Sequence, residues 1–317
     1  MSDNINNENQ EKNKSDNYVP AQATRISPFS NLIFNFFFIF TTLACIVPLL
    51  FVIMASFTDD LTLRVEGYTL FPSKLSLSAY EFVFRRGEAI VQAFINSIVI
   101  TLVGTFFSTL IMALYAYPLS RTNFKHRKKF TWLVLITMLF SGGLVPWYIM
   151  YTQVLGLLDT MAALIIPYTM SAWYVLIMRT FYKTALPEEI VESARIDGAN
   201  EFKIFFSIAL PLSTAGLATI GLFTTLAYWN DWYLPLFFAR SESLDTIQNY
   251  LRRVLENVQF LARMAGQMGA ITVSVKDLPS ETIRMAIAVV AIGPIVLAYP
   301  FFQRFFVKGL TIGAVKG

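Results

Sequence analysis

Covalent catalysis and disulfide chemistry have almost nothing to work with in this chain. Its one cysteine, Cys45, lies inside an apolar run, so no disulfide, CxxC pair or cysteine metal site can form within the chain. Its one histidine, His126, sits in the basic run of residues 125–129, where a solvated loop residue is the plainer reading than a catalyst or a ligand. No Ser/His/Asp triad can be assembled around it, and neither enzyme activity nor a metal site is expected. No G-x-x-x-x-G-K-[ST] phosphate loop occurs, which excludes ATP binding by that device. Charge is scarce as well, at 15% of residues. The net charge of +4 comes with no aromatic-basic surface motif, so nucleic acid is not an expected partner.

What the chain has is hydrocarbon. Apolar residues make up 55% of 317, too many for a water-facing surface to cover, and the mean hydropathy is +0.54. That is a membrane composition. A bilayer core needs about 20 apolar residues of helix. Six segments supply them with few or no charges: 32–57, 93–119, 130–155, 161–182, 214–238 and 283–302. Ser141-Gly142-Gly143 and Pro146 interrupt the third, and its turn into the fourth is very short. The polar residues 1–30 read as a disordered tail without the pattern of a secretory leader. The 2–3 connection carries Arg121, Lys125, Arg127, Lys128 and Lys129 with no acid. The C-terminal tail adds Arg304, Lys308 and Lys316, again with no acid. Basic loops stay inside, so both termini and the 2–3 and 4–5 connections are expected in the cytoplasm. The balanced loops 58–92 and 239–282 then face outward. The expectation is an all-α, six-span integral membrane protein.

Irregularities inside the spans mark a possible pathway. Ser97, Thr101, Thr105 and Ser108/Thr109 recur at about four-residue spacing beside Gly104, placing a small polar stripe on one face of the second span. Such a stripe serves close helix packing in lipid or lines a polar route. The fifth span contains YWNDWYLPLFF, so Tyr228, Asn230, Asp231 and Trp232 fall in or near the membrane. An acid there is costly. Asp231 can line a path, cap a kink before Pro235, or lie at the outer interface with Trp229, Trp232 and Tyr233 as an aromatic belt; its position along the span favours the interface. In the outer loop, Ile247, Leu251, Val254, Leu255, Val258 and Leu261 recur at helical spacing, with Arg252, Arg253, Glu256 and Arg263 opposite. This is an amphipathic helix that lies on the bilayer or docks on an external partner.

A charged interruption, EEIVESARIDGANEFKIFFSIALPLS, occupies residues 188–213 within a connection covering 184–213. Pro187 suits a helix start, and Glu188 and Glu189 favour its first turn. Ile190, Val191 and Ala194 give an apolar stripe, and Asp197-Gly198 a stop. Asn200 caps a second short helix with Phe202, Phe205, Phe206 and Ile208 on its apolar side. That helix should end at or before Leu210, because Pro211 disfavours helical geometry in the residue before it. The residues alone allow an ordinary amphipathic loop or a knob that fits another protein.

The segment resembles the EAA loop of ABC-importer permeases, E-A-A-x3-G-x9-I-x-L-P. Glu192, Ala194, Gly198, Ile208, Leu210 and Pro211 fall at matching positions, with Ser193 replacing the second residue. Residues 140–167, YWNDWYLPL and the ending YPFFQRFFVKGLTIGAVKG also resemble the carbohydrate-importer branch, MalG-like subunits of polysaccharide-fragment and multi-sugar systems. The resemblance implies the type I importer fold and a permease that inserts its loop, as a coupling helix, into a groove on a separate ATPase dimer. Glu192, Ser193, Ala194, Asp197 and Gly198 would sit at that contact, and Leu210-Pro211 would lead back into span five. ATP and Mg would be bound by the ATPase, with no cofactor in this chain. The other implied partners are a second permease subunit, an extracytoplasmic solute-binding protein met by loop 239–282, an oligosaccharide, and membrane lipid. The competing classes are an ion-gradient-driven secondary transporter and a membrane enzyme. The first lacks a clear internal repeat and has Asp231 as its one acid well inside a span; the second lacks clustered catalytic groups.

Overall fold

A computed structural model describes residues 28–85, 87–267 and 280–314. Residues 1–27 of the expected tail and Lys316 lie outside the described part, as do the side chains of Leu261, Arg304 and Lys308. The described chain is helical. Helix α1 (Pro28–Ser56) starts inside the stretch assigned to the tail, and most of it belongs to a unit ending at Phe51. Everything else described below lies in the unit that begins at Val52.

That unit runs through α2 (Asp60–Glu66), α3 (Ser78–Val83), α4 (Gly87–Ser120) and α5 (Arg127–Leu139). There follow α6 (Leu144–Val154), α7 (Met161–Tyr168) and α8 (Ala172–Ala185). After α9 (Glu188–Ile196) come α10 (Glu201–Leu212), α11 (Thr214–Trp229) and α12 (Tyr233–Phe238). Helix α13 (Ile247–Gln267) precedes the final α14 (Ser280–Ala314). Among the described residues, three helices are long and apolar enough to cross a membrane unbroken: α1, α4 and the Glu281–Pro300 part of α14.

The other apolar runs are bent or broken. The third run breaks at residues 140–143, where α5 and α6 meet at 115°. Gly143 makes this turn at φ +82°, a conformation glycine adopts without steric cost. The fourth run bends by 53° between α7 and α8. The fifth run stops at Trp229, and α12 starts again at Tyr233. The expected helix end at or before Leu210 is also corrected. Leu210 keeps helical angles, φ −61° and ψ −50°, and α10 continues to Leu212 before an 81° bend at Ser213. A wider π turn over Phe205–Ala209 opens the backbone ladder just ahead of Pro211. The proline therefore meets a loosened turn, where its missing N–H and its ring are tolerated.

Helix α4 is the centre of the packing. Its 34 residues span about 51 Å at 1.5 Å each. Around its start, Ile90 and Ala93 are buried with Val83, Trp229, Ile247, Leu251, Val258 and Ile283. Around its end, Met112, Ala116 and Leu119 are buried with Val175, Met178, Tyr182, Val191, Ile204 and Phe205. Between these, lipid gives no hydrophobic reward for helix pairing, so close approach of small residues matters more. Gly104 lets the Tyr228 ring lie where a Cβ would come within 2.6 Å of it, and Gly216 does the same for Phe181.

Candidate functional site

The loop after α8 is built from local signals that agree with one another. Pro187 is the residue before α9 and not its first helical residue, a difference of one position. Glu188 and Glu189 occupy the first turn and Arg195 the last, each sign favoured by the helix dipole. The helix closes in a Schellman motif: Gly198 N–H donates to the Arg195 carbonyl and Ala199 N–H to the Ala194 carbonyl, both at 2.9 Å. This needs a left-handed residue, and Gly198 has φ +79°. Asn200 Oδ1 then accepts the Lys203 N–H at 2.8 Å and starts α10. Asn200→Ala is expected to destabilise this helix start by about 1 kcal/mol. Hydrogen exchange at residues 201–204 would quicken if the cap acts as described and stay unchanged if it does not.

Which side chains the loop shows differs from the apolar side read from the sequence. Val191, Ala194, Ile204 and Phe205 face the cluster at the end of α4. Phe202 is 72% exposed and Ile190 is 41% exposed, so neither is buried as expected. Ile196 is 86% exposed. Glu192, Ser193, Asp197 and Gly198 lie exposed among them, while Ile208 and Leu210 are half-buried on α10 and Pro211 is exposed. The loop therefore leaves Ile190, Ile196 and Phe202 exposed along with the glycine turn. Pattern reading missed Ile196 because it stands one residue before the stop, where periodicity is too short to assign a side.

Polar contacts hold this loop to the bundle. Glu201 pairs with Arg195 at 2.8 Å and accepts the Tyr117 hydroxyl at 3.2 Å. Arg121, read in the sequence only as a loop charge, is 3% exposed and donates to the carbonyls of Tyr182 and Leu186 at 3.2 Å. No spacing rule would have found it, since its partners are backbone atoms about 60 residues away.

The stripe on α4 is divided between packing and a groove. Ser97 Oγ accepts the Ile247 N–H at 2.8 Å and so anchors the start of α13. Beside it, Asn96 donates to the carbonyls of Ser243 and Asp245 at 2.8 Å, a tie that the four-residue spacing passed over. Ser108 Oγ lies 2.9 Å from the Tyr228 hydroxyl, which donates to the Ile165 carbonyl at 2.7 Å. Tyr228 is thus a buried bridge from α11 to α4 and α7. Thr105 and Thr225 share a hydrogen bond of 3.2 Å. Thr101, Thr105, Thr109 and Thr225 line a groove of about 670 Å³ with Gly221 and Phe302. The hydroxyl of Thr101 is buried there without a protein partner.

Asp231 caps the kink before α12, one of the roles its position in the sequence allowed. Its Oδ1 accepts the Tyr168 hydroxyl at 3.1 Å and the N–H groups of Tyr233 and Leu234 at 3.0 and 3.3 Å. The carboxylate thereby satisfies the free donors that open α12. Asn230 is exposed and donates to the Leu226 carbonyl at 3.0 Å, while Trp232 is covered at 5.9 Å by the Arg252 guanidinium from α13. In the turn between α6 and α7, Asp159 Oδ1 accepts the N–H groups of Ser241 and Arg240 at 3.0 and 2.9 Å. Those N–H groups, Ser241 foremost, hold its carboxyl below the usual carboxylate range. This contribution is complete above the ordinary carboxylate range and is lost as pH falls through the depressed native value.

The family model for the inner membrane component of binding-protein-dependent transport systems matches residues 85–312. The chain belongs to this family. Within this transport-component family it is 38% identical over 289 residues to a polygalacturonan/rhamnogalacturonan transport system permease of Bacillus subtilis, covering 91% of this chain and 98% of that one. It is 32% identical to an arabinooligosaccharides transport system permease of Halalkalibacterium halodurans, covering 92% and 99%. Its fold is similar to a chain from the crystal structure of a bacterial ABC transporter involved in importing the acidic polysaccharide alginate. The TM-score is 0.73, with 24% identity over 89% of this chain and 98% of that one. As an inner membrane component with long apolar helices, this permease is a multi-pass protein of the cytoplasmic membrane.

Proposed function

We propose that this chain is a permease subunit of an ATP-driven ABC importer that moves polysaccharide-derived oligosaccharides into the cell. Both termini and loop 188–213 face the cytoplasm, and each bent helix pair counts as one of six spans. Loop 188–213 docks on a separate ATPase, which supplies ATP and Mg. A second permease subunit completes the pathway, and an extracytoplasmic solute-binding protein delivers the sugar at loop 239–282.

One observation carries this reading: the exposed turn at Gly198, on a loop that also leaves Ile190, Ile196 and Phe202 exposed. Large apolar side chains held out on a capped, rigid helix are unfavourable in water and acquire a reason when a partner covers them. The substrate class rests on similarity to permeases whose names specify polygalacturonan/rhamnogalacturonan and arabinooligosaccharide transport.

Cross-linking tests the contact. With Cys45→Ser as background, Ile196→Cys is expected to link to the ATPase in inside-out vesicles and not to external reagents in intact cells. Labelling from outside, or a failure to reach any ATPase in a complex that hydrolyses ATP, would contradict the assignment.

A further inference from the structure

The strongest unassigned feature is a reciprocal arginine clamp at the root of the loop. Arg121 follows the last residue of α4 and is 3% exposed. Its Nη2 donates to the Tyr182 and Leu186 carbonyls at 3.2 Å, its Nη1 to Leu186 at 3.2 Å, and its Nε to Ser120 Oγ at 3.0 Å. The Glu188 carboxylate, the first residue of α9, stands 3.7 Å from Nη1. The guanidinium also lies 5.7 Å from the centre of the Tyr117 ring. In return, Arg179 of α8 donates its Nε–H to the Leu119 carbonyl at 3.1 Å. The C-terminal ends of α4 and α8 therefore each receive an arginine at their carbonyls, where the dipole favours a cation.

The placement is mechanical. Leu186 is the residue that follows α8, two positions before α9 begins. A flexible joint there would let α9 move without moving anything else. With Leu186 pinned to Arg121 and Glu201 pinned to Tyr117, a displacement of α9 must carry the end of α4 with it. Helix α4 is the element that bears the threonine groove.

We propose that Arg121, supported by Arg179, is a positioning residue that makes the α8–α9 joint rigid, so that movement of the docking loop reaches α4. This rests on the ATPase-docking reading above. A lysine can carry the charge but not the planar fork that holds two carbonyls and a hydroxyl at once.

The test is Arg121→Lys and Arg121→Gln in the complete transporter, reconstituted with its ATPase, second permease and binding protein. Oligosaccharide uptake and ATP hydrolysis are measured on the same vesicles. Both variants are expected to keep the ATPase bound and hydrolysing, with sugar moved per ATP falling about tenfold, and Arg179→Gln is expected to act in the same direction. A merely stabilising role would lower uptake and hydrolysis together and leave their ratio unchanged, which would overturn the proposal. Full recovery of the ratio by Arg121→Lys would also overturn it. Should Arg121→Gln fail to insert, Arg121→Lys decides by the same ratio. If wild-type hydrolysis is not coupled to uptake at all, the docking reading itself fails, a result separate from the other two.

Discussion

Gly198→Trp is expected to remove ATPase association and sugar uptake while leaving the chain inserted in the membrane. Gly198 holds φ +79° to close the Schellman motif, and a side chain there costs about 1–2 kcal/mol in backbone strain alone. A Cβ at this position meets nothing within 4 Å in this chain, so bulk has no further cost until a partner arrives. The two contributions separate by comparison. Gly198→Ala carries the strain with almost no added volume, and Gly198→Asn carries less strain, since asparagine tolerates left-handed geometry. The expected order of residual ATPase binding is asparagine, then alanine, then tryptophan, with the last weakened by more than about tenfold relative to alanine. Equal effects of alanine and tryptophan would mean that nothing covers the turn.

Gly104→Val is expected to produce the largest loss of stability inside the bundle. The Cβ would lie 2.6 Å from the Tyr228 ring, and that ring cannot swing away freely. Its hydroxyl is held between Ser108 Oγ at 2.9 Å and the Ile165 carbonyl at 2.7 Å. Overpacking at such a site costs about 1–3 kcal/mol. Displacing Tyr228 would add the loss of two interhelical hydrogen bonds, each worth about 0.6 kcal/mol in a membrane. Gly293→Ala is the control, because its added methyl meets nothing within 4 Å. Thermal unfolding of the purified complex should show a clear drop in Tm for Gly104→Val and none for Gly293→Ala. Equal Tm values would refute the close α4–α11 packing.

Much of this was legible in the sequence where the cause is local. Pro187, the two glutamates, Gly198 and Asn200 each specify backbone geometry within a few residues, and the two short helices follow from them. The apolar helices were legible as composition. Their bends were only partly so. Gly142-Gly143 marked the third break, but the π turn that carries α10 past Pro211 has no simple pattern, and a rule about the residue before proline misplaced the helix end. Side-chain roles set by distant backbone were not legible at all. Arg121 looked like one charge among five, Ser97 like one member of a small polar stripe, and Asn96 gave no signal. Their partners at Leu186, Ser243 and Ile247 become neighbours only when the chain is folded. Asp231 shows the same limit: sequence offered the capped kink as one of three readings, and only the fold supplies the bonds to Tyr168, Tyr233 and Leu234 that make the cap.

The most direct test of ATP-driven coupling through loop 188–213 measures uptake and ATP hydrolysis together in proteoliposomes holding the assembled transporter. With wild-type chain, binding protein and oligosaccharide should raise hydrolysis, and uptake should require ATP and persist when ion gradients are collapsed. Glu192→Lys, which reverses an exposed charge on α9, should depress both rates while the chain remains inserted. Uptake that follows an imposed proton or sodium gradient without ATP, or Glu192→Lys coupling as well as wild type, would contradict the assignment.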